Sequence, residues 1–287
     1  MAADYVLLTD SACDIVPEKL REWNVEVMCL SYLFTDGEKE YRDYDQTTKE
    51  FYAQMRSGRV AKTSSVNEAA IYAKMASFLE AGRDILYLAF SSGLSVTCEN
   101  GKKAAAQLRE KYPERKIRVV DSLCASAGEG LFVYLAKENR DRGMDLDANA
   151  EAMEADKLHL CHWFTVEDLK YLKRGGRISA ATALLGTALN VKPVLHVDNE
   201  GHLIKVTQVH GRKKSIRKMA EKLGGTILDD SPVFISHGDC EEDAQLLAGI
   251  LKEEYGREVN LITGVGCVIG AHSGPGTLAL FFRGKER

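Results

Sequence analysis

The chain has 287 residues, enough for one large α/β domain or two of ordinary size. Hydrophobic residues make up 45% and charged residues 28%, the balance of a folded globular protein and not of a disordered one. A net charge of −4 lacks the field of clustered Lys and Arg that phosphate backbones require, so no nucleic-acid partner is expected.

No stretch reaches the roughly 18 consecutive apolar residues of a membrane span. The opening MAADYVLLTD sets Asp4 ahead of a short apolar run and lacks the basic start of a signal peptide. The seven cysteines are scattered and include no C-x-x-C pair, which reads as reduced, mostly buried thiols of a cytoplasmic protein.

In chain order, apolar runs rich in Val, Ile and Leu begin at residues 5 (YVLLT), 25 (VEVMCLSYLF), 84 (DILYLAF) and 116 (KIRVVD). Helical patterns intervene, from Asn67 to Gly82, from about Val96 to Tyr112 and from about Ala125 to Arg140. That alternation is the rhythm of βαβ units and a mostly parallel sheet. Beyond residue 157 the pattern changes. HLCHWFTV reads as a strand, EDLKYLKRGGRIS as a short helix ended by Gly175 and Gly176, and KPVLHVDNEGHLIKVTQV as two strands joined at Asn199-Glu200-Gly201. A hairpin is foreign to a purely parallel sheet. The spacing therefore predicts two α/β domains, residues 1–158 with a mostly parallel sheet and 159–287 with a mixed sheet containing the hairpin. A basic helix (212–223), the strand VFISH, the helix EDAQLLAGILKEEYG, the strand VNLIT and a glycine-rich end complete the second. The run Arg212, Lys213, Lys214, Arg217 and Lys218 has the helical spacing of a solvated face.

Ligands of α/β proteins collect where strand ends meet helix N-termini. Two hydroxyl-rich segments stand at such places, KTSSVN (62–67) and SSGLSVT (91–97). Helix N-termini carry unpaired N–H groups and partial positive charge, so hydroxyls beside them suit a carboxylate or a phosphate. Each segment alone is better explained as a helix cap. His272, set among the glycines and prolines of GCVIGAHSGPGTLALFF, would join them only if the fold brings all three together.

Catalytic patterns are incomplete. GLSVT (93–97) resembles a nucleophile elbow around Ser95, but Thr97 occupies the place of the second glycine. An acyl ester hydrolase using Ser95 and His272 is the enzymatic alternative. GVGCVIG (264–270) mimics a dinucleotide fingerprint, yet lies too near the C-terminus for a following helix, strand and ribose-binding acid. His159 and Cys161 fall on one face of their strand and His162 on the other, so they make no metal site. No metal and no cofactor is expected.

VLLTDSACDI, KTSS, SSGLSVT, VVDSLCASAGEG, VEDLKYLKRGGRIS, NVKPVLHVD and IGAHSGPGTLAL together resemble, in order and spacing, the DegV family of bacterial fatty acid-binding proteins. The pattern L-x-x-L-x-x-G-G-R-I at 169–178 is the most telling, and the resemblance covers essentially the whole chain. It implies a two-domain, non-enzymatic lipid-binding protein that holds one long-chain fatty acid at the domain interface. The carboxylate would be gripped by Thr63, Ser95 and His272, with Ser64 assisting, and the acyl chain would lie in an apolar tunnel. His272 would donate a hydrogen bond, charge-assisted if the imidazole is protonated. Some members present their fatty acid to a kinase and carry an arginine where this chain has His210. Arg212 is the nearby cation that could replace it, so both are candidate partner contacts. Val96, where the family usually has glycine, is expected to narrow or reshape the pocket. Asp121, Ser122 and Arg177 fit the family motifs and read as structural.

Overall fold

A computed structural model describes residues 4–179 and 190–287; the first three residues of MAADYVLLTD lie outside them. The run at residue 5 forms β1 (Val6–Asp10) and the run at 84 forms β6 (Ile85–Ala89), both buried at every position. Burial on both faces is what central parallel strands need and explains their unbroken apolar character. With β2 (Val25–Met28) and β7 (Ile117–Asp121) they make a four-stranded sheet in the order β2-β1-β6-β7, parallel throughout.

The apolar run at 25 is not one strand. It breaks after Met28, and Ser31–Phe34 becomes β3, the centre of a separate antiparallel sheet with β4 (Glu40–Arg42) and β5 (Ala61–Ser64). Periodicity could not reveal the break, because Cys29 and Leu30 continue the same apolar composition across the change of sheet. KTSS, placed above ahead of a helix, is mostly strand. Helix α1 (Pro17–Glu22) follows β1, and α2 (Thr48–Arg56), opened by a Thr47/Glu50 capping box, follows β4. Helices α3 (Glu68–Glu80), α4 (Thr97–Lys111) and α5 (Ala127–Asp141) lie where periodicity puts them, and α6 (Leu146–Asp156) was not foreseen. The Asn67 side chain accepts from Ala70 N at 2.9 Å, the expected cap of α3.

The later strands, β8 (Leu160–Thr165), β9 (Val191–Val197), β10 (Leu203–His210), β11 (Phe234–His237), β12 (Leu261–Gly264) and β13 (Leu278–Arg283), form a six-stranded mixed sheet. Its order is β10-β9-β8-β13-β11-β12, antiparallel except for β11 with β12, and β9–β10 is the expected hairpin. Short α7 (Lys170–Arg174) ends at Gly175; α8 (Arg212–Leu223) and α9 (Glu241–Tyr255) cover one face of this sheet. Much of the basic run on α8 is neutralised, Arg212 by Asp243, Arg217 by Glu254 and Lys218 by Glu221.

Strand alternation gives β13 two tasks. Leu278, Leu280 and Phe282 join the core under α8 and α9, whereas Ala279 and Phe281 join a core that reaches Leu7 and Leu86 of the parallel sheet. Helix α5 packs between the four-stranded and the six-stranded sheets, its Leu131, Phe132 and Val133 fully buried. All seven cysteines are free, five of them buried. No described helix is long and apolar enough to cross a membrane, and no cluster of potential metal ligands occurs among the described residues.

Candidate functional site

A cavity of about 630 Å³ is lined from the six-stranded mixed sheet, from β5 of the three-stranded sheet and from the segments the sequence singled out. Thr63 and Ser64 reach it from the end of β5, Ser95 from the turn before α4, and His272 from a further helix, α10 (Cys267–Ser273). The remaining wall is chiefly apolar and includes Leu30, Phe90, Phe164, Leu172, Val268 and Phe281.

Thr63 and His272, 209 residues apart in the chain, are directly hydrogen-bonded, with Oγ1 and Nε2 at 2.8 Å. Ser95 Oγ pairs instead with Thr97 Oγ1 at 2.9 Å and accepts from Thr97 N at 3.2 Å, the arrangement of a helix-start hydroxyl. Thr97, which disqualified the elbow, is the residue that holds Ser95. The Ser95 and His272 side chains share the cavity while each bonds another partner.

Burial, and secondarily the charge of Arg177, lowers the His272 pKa to about 4. The imidazole is thus neutral near pH 7, in contrast to the charge-assisted form that the resemblance allowed. Its Nδ1 is buried with no hydrogen-bond partner. A Cβ at Gly175 would stand 2.1 Å from that atom, so the first glycine of the GGR motif is where the backbone must pass under the ring.

Sequence reasoning gave Arg177 a purely structural role. It does donate from Nε to Leu94 O at 3.2 Å and also to Gly175 O, but it lines the cavity as well, and burial lowers its pKa. A half-buried guanidinium beside hydroxyls in a chiefly apolar cavity favours an anionic ligand. The motif R-I was visible; its direction was not. Ser126 and Ser236 also line the cavity and bond each other at 2.9 Å, Ser126 from a strained backbone at φ 55°, ψ −150°. No local signal distinguished them.

Val96 lines the cavity yet is 62% exposed, which puts it at an opening, so the expected narrowing does not reach the buried part. His210 is exposed at the end of edge strand β10. Arg212 is committed elsewhere, donating from Nε to Asp243 Oδ2 at 2.8 Å and from Nη2 to Gly276 O at 2.7 Å. The last four residues of GVGCVIG form the start of a helix, for which the sequence reading left no room. That helix has only seven residues and leads into antiparallel β13, and its first N–H groups are taken by carboxylates, Asp14 on Gly266 N and Asp43 on Cys267 N. A dinucleotide pyrophosphate would find them occupied.

Asp10, Asp14, Asp43 and Glu129 are buried beneath the site, and desolvation raises all four pKa values, Asp10 to about 6 and Asp43 to about 7. A folded-state pKa above the ordinary carboxylate value favours the protonated form, so this stabilisation is complete at low pH and is lost as pH rises through the folded value. The buried histidines oppose it only lower down: His196 and His272 are both lowered to about 4, so their stabilising effect fades as pH falls below about 6.5. Thermal unfolding should therefore occur at a higher temperature at about pH 6.5 than at about pH 8, with the gain flattening below. A melting temperature that falls between about pH 8 and 6.5 would contradict the burial of these carboxyls.

The model of the DegV family, described as uncharacterised proteins, matches residues 5–285. A DegV domain-containing protein of Clostridium perfringens is 38% identical over 286 residues, covering 99% of this chain and 98% of the relative. One from Lactococcus lactis is 34% identical over 281 residues, with 96% of each chain covered. Among solved structures, a DegV family protein from Thermus thermophilus described as binding fatty acid superposes with a TM-score of 0.86 at 29% identity, over 98% of this chain and 99% of that one. A stearic acid-binding protein of Eubacterium ventriosum gives a TM-score of 0.88 at 25% identity over 98% of each. With the motifs, the fold and the match spanning nearly every residue, the chain belongs to the DegV family.

Proposed function

We propose that this protein binds one long-chain fatty acid, with the carboxylate held by Thr63, Ser95 and His272, assisted by Ser64 and the charge of Arg177. The observation that carries this reading is the cavity, whose polar lining includes these five side chains while the rest is chiefly apolar. Its volume lies within the roughly 300–1,000 Å³ of small-molecule sites. With its proton on Nε2 the neutral imidazole is a donor, and the Thr63 hydroxyl 2.8 Å away is free to turn its own hydrogen to an arriving carboxylate. Family membership and the fatty acid-binding Thermus thermophilus neighbour support the same ligand class.

The reading places residues 1–158 and 159–287 as two domains with the ligand between them, and assigns no catalytic step. A serine hydrolase needs its nucleophile bonded to its base. Here Ser95 is paired with Thr97, and His272 with Thr63. Presentation of the bound acid to a fatty acid kinase belongs to the same proposal. Since Arg212 is tied to Asp243, the partner contact is assigned to the exposed surface around His210.

Mass spectrometry on an organic extract of the denatured protein is expected to show about one fatty acid per chain. An empty extract from protein that also takes up no added fatty acid would overturn the reading. Labelling of Ser95 by a fluorophosphonate would put the hydrolase in its place.

A further inference from the structure

His272 stands at the end of a seven-residue helix, far too short to be stable on its own in water, so something else must fix where its ring stands. The segment leading into α10 is tied to the N-terminal half of the chain at successive residues. Tyr52 Oη donates to Val265 O at 3.0 Å. Asp14 Oδ1 accepts from Gly266 N at 2.9 Å, and Asp43 Oδ1 accepts from Cys267 N at 3.1 Å and Val268 N at 3.4 Å. A Cβ at Gly266 would lie 2.6 Å from Asp14 Oδ1 and 3.5 Å from both Asp43 oxygens, so the two carboxyls close around this one glycine.

These carboxyls are unusual in cost. Asp14 is 3% and Asp43 2% exposed, and neither takes part in an ion pair among the described residues. Asp43 Oδ2 has no hydrogen-bond partner at all. A buried carboxyl pair without a cation is a poor way to gain stability, because desolvation outweighs what a few N–H bonds return. Its geometric product is definite: besides the backbone bond from Val265 N to His237 O at 2.8 Å, side chains of residues 14, 43 and 52 hold the start of the helix whose other end delivers His272 to Thr63.

We propose that Asp14, Asp43 and Tyr52 are positioning residues of the carboxylate site, setting where the His272 imidazole stands relative to Thr63 without touching the ligand themselves. The inference rests on the fatty acid-binding reading given above and deepens it. It explains the glycine of the GVG segment, and it explains why the N-terminus of α10 is filled by side chains and not by a ligand.

The test compares a long-chain fatty acid with its methyl ester, since the ester keeps the tail and loses the anionic head. In the wild type the acid should bind more tightly by about tenfold or more. Asp43→Leu, which removes the acceptor but keeps the bulk, should reduce that preference to within about threefold of unity while ester affinity changes by less than about twofold. Asp43→Asn keeps an oxygen acceptor and should retain the preference. Equal loss for acid and ester in Asp43→Leu, or loss of the preference in Asp43→Asn, would overturn the proposal. If Asp43→Leu does not fold, Tyr52→Phe carries the same test, with a fall of several-fold in the preference expected and an unchanged preference counting against it. A wild type that binds acid and ester alike would instead show that the head-group reading itself is wrong.

Discussion

His272→Ala is expected to weaken binding of a long-chain fatty acid by about 10- to 100-fold at neutral pH and to leave its methyl ester within about twofold. A hydrogen bond to a charged group contributes roughly 1.5–3 kcal/mol, and without the Nε2 donor the Thr63 hydroxyl loses the partner that leaves its hydrogen free for the carboxylate. The ring is mostly buried against Gly175, so some stability will be lost as well. The ester separates the two effects, because a damaged cavity would weaken both ligands. Titration calorimetry or displacement of a fluorescent fatty acid measures this directly. Unchanged affinity for the acid would remove His272 from the site and leave Arg177 as the anion partner.

Shortening a saturated ligand by about six methylenes, with the head group intact, is expected to cost about 10³-fold in affinity. Each buried methylene is worth roughly 0.8 kcal/mol, and the apolar wall around Leu30, Phe164, Leu172 and Phe281 is where that burial would occur. The full product of six such terms exceeds the figure given, because a shorter chain also loses less rotational freedom on binding. Binding of the acid across a graded series of chain lengths reads this as a slope of about three- to fourfold per carbon. A flat series would mean that the tail does not enter the cavity, and binding would then reside in the head group alone.

The two predictions divide the site as the chain divides it. Tail affinity depends on apolar surface contributed by many residues, none of them individually recognisable in the sequence. Head-group selectivity depends on a few polar side chains, and Thr63, Ser64, Ser95 and His272 are legible because hydroxyls before helices and a histidine in a glycine-rich loop follow from local rules. Those rules left each segment ambiguous between cap and ligand. The Asn67 cap of α3 and the Ser95 bonds to Thr97 at the start of α4 show that the local role is real, while Thr63, Ser64 and Ser95 of the same segments line the cavity.

What the sequence determined by itself is whatever depends on residues near one another in the chain. The buried runs of β1 and β6, the helices α3, α4 and α5, the hairpin of β9 and β10 and the end of α7 at Gly175 all follow from periodicity and turn chemistry. The family motifs belong here too, since they are patterns of order and spacing. The tertiary structure alone decided the break of the run at 25 into two sheets, the inward direction of Arg177, and the capture of Gly266 and Cys267 by carboxyls more than 200 residues earlier. It also decided that His272 is neutral, because a pKa depends on desolvation and on charges brought near by folding, and neither is written in the local sequence.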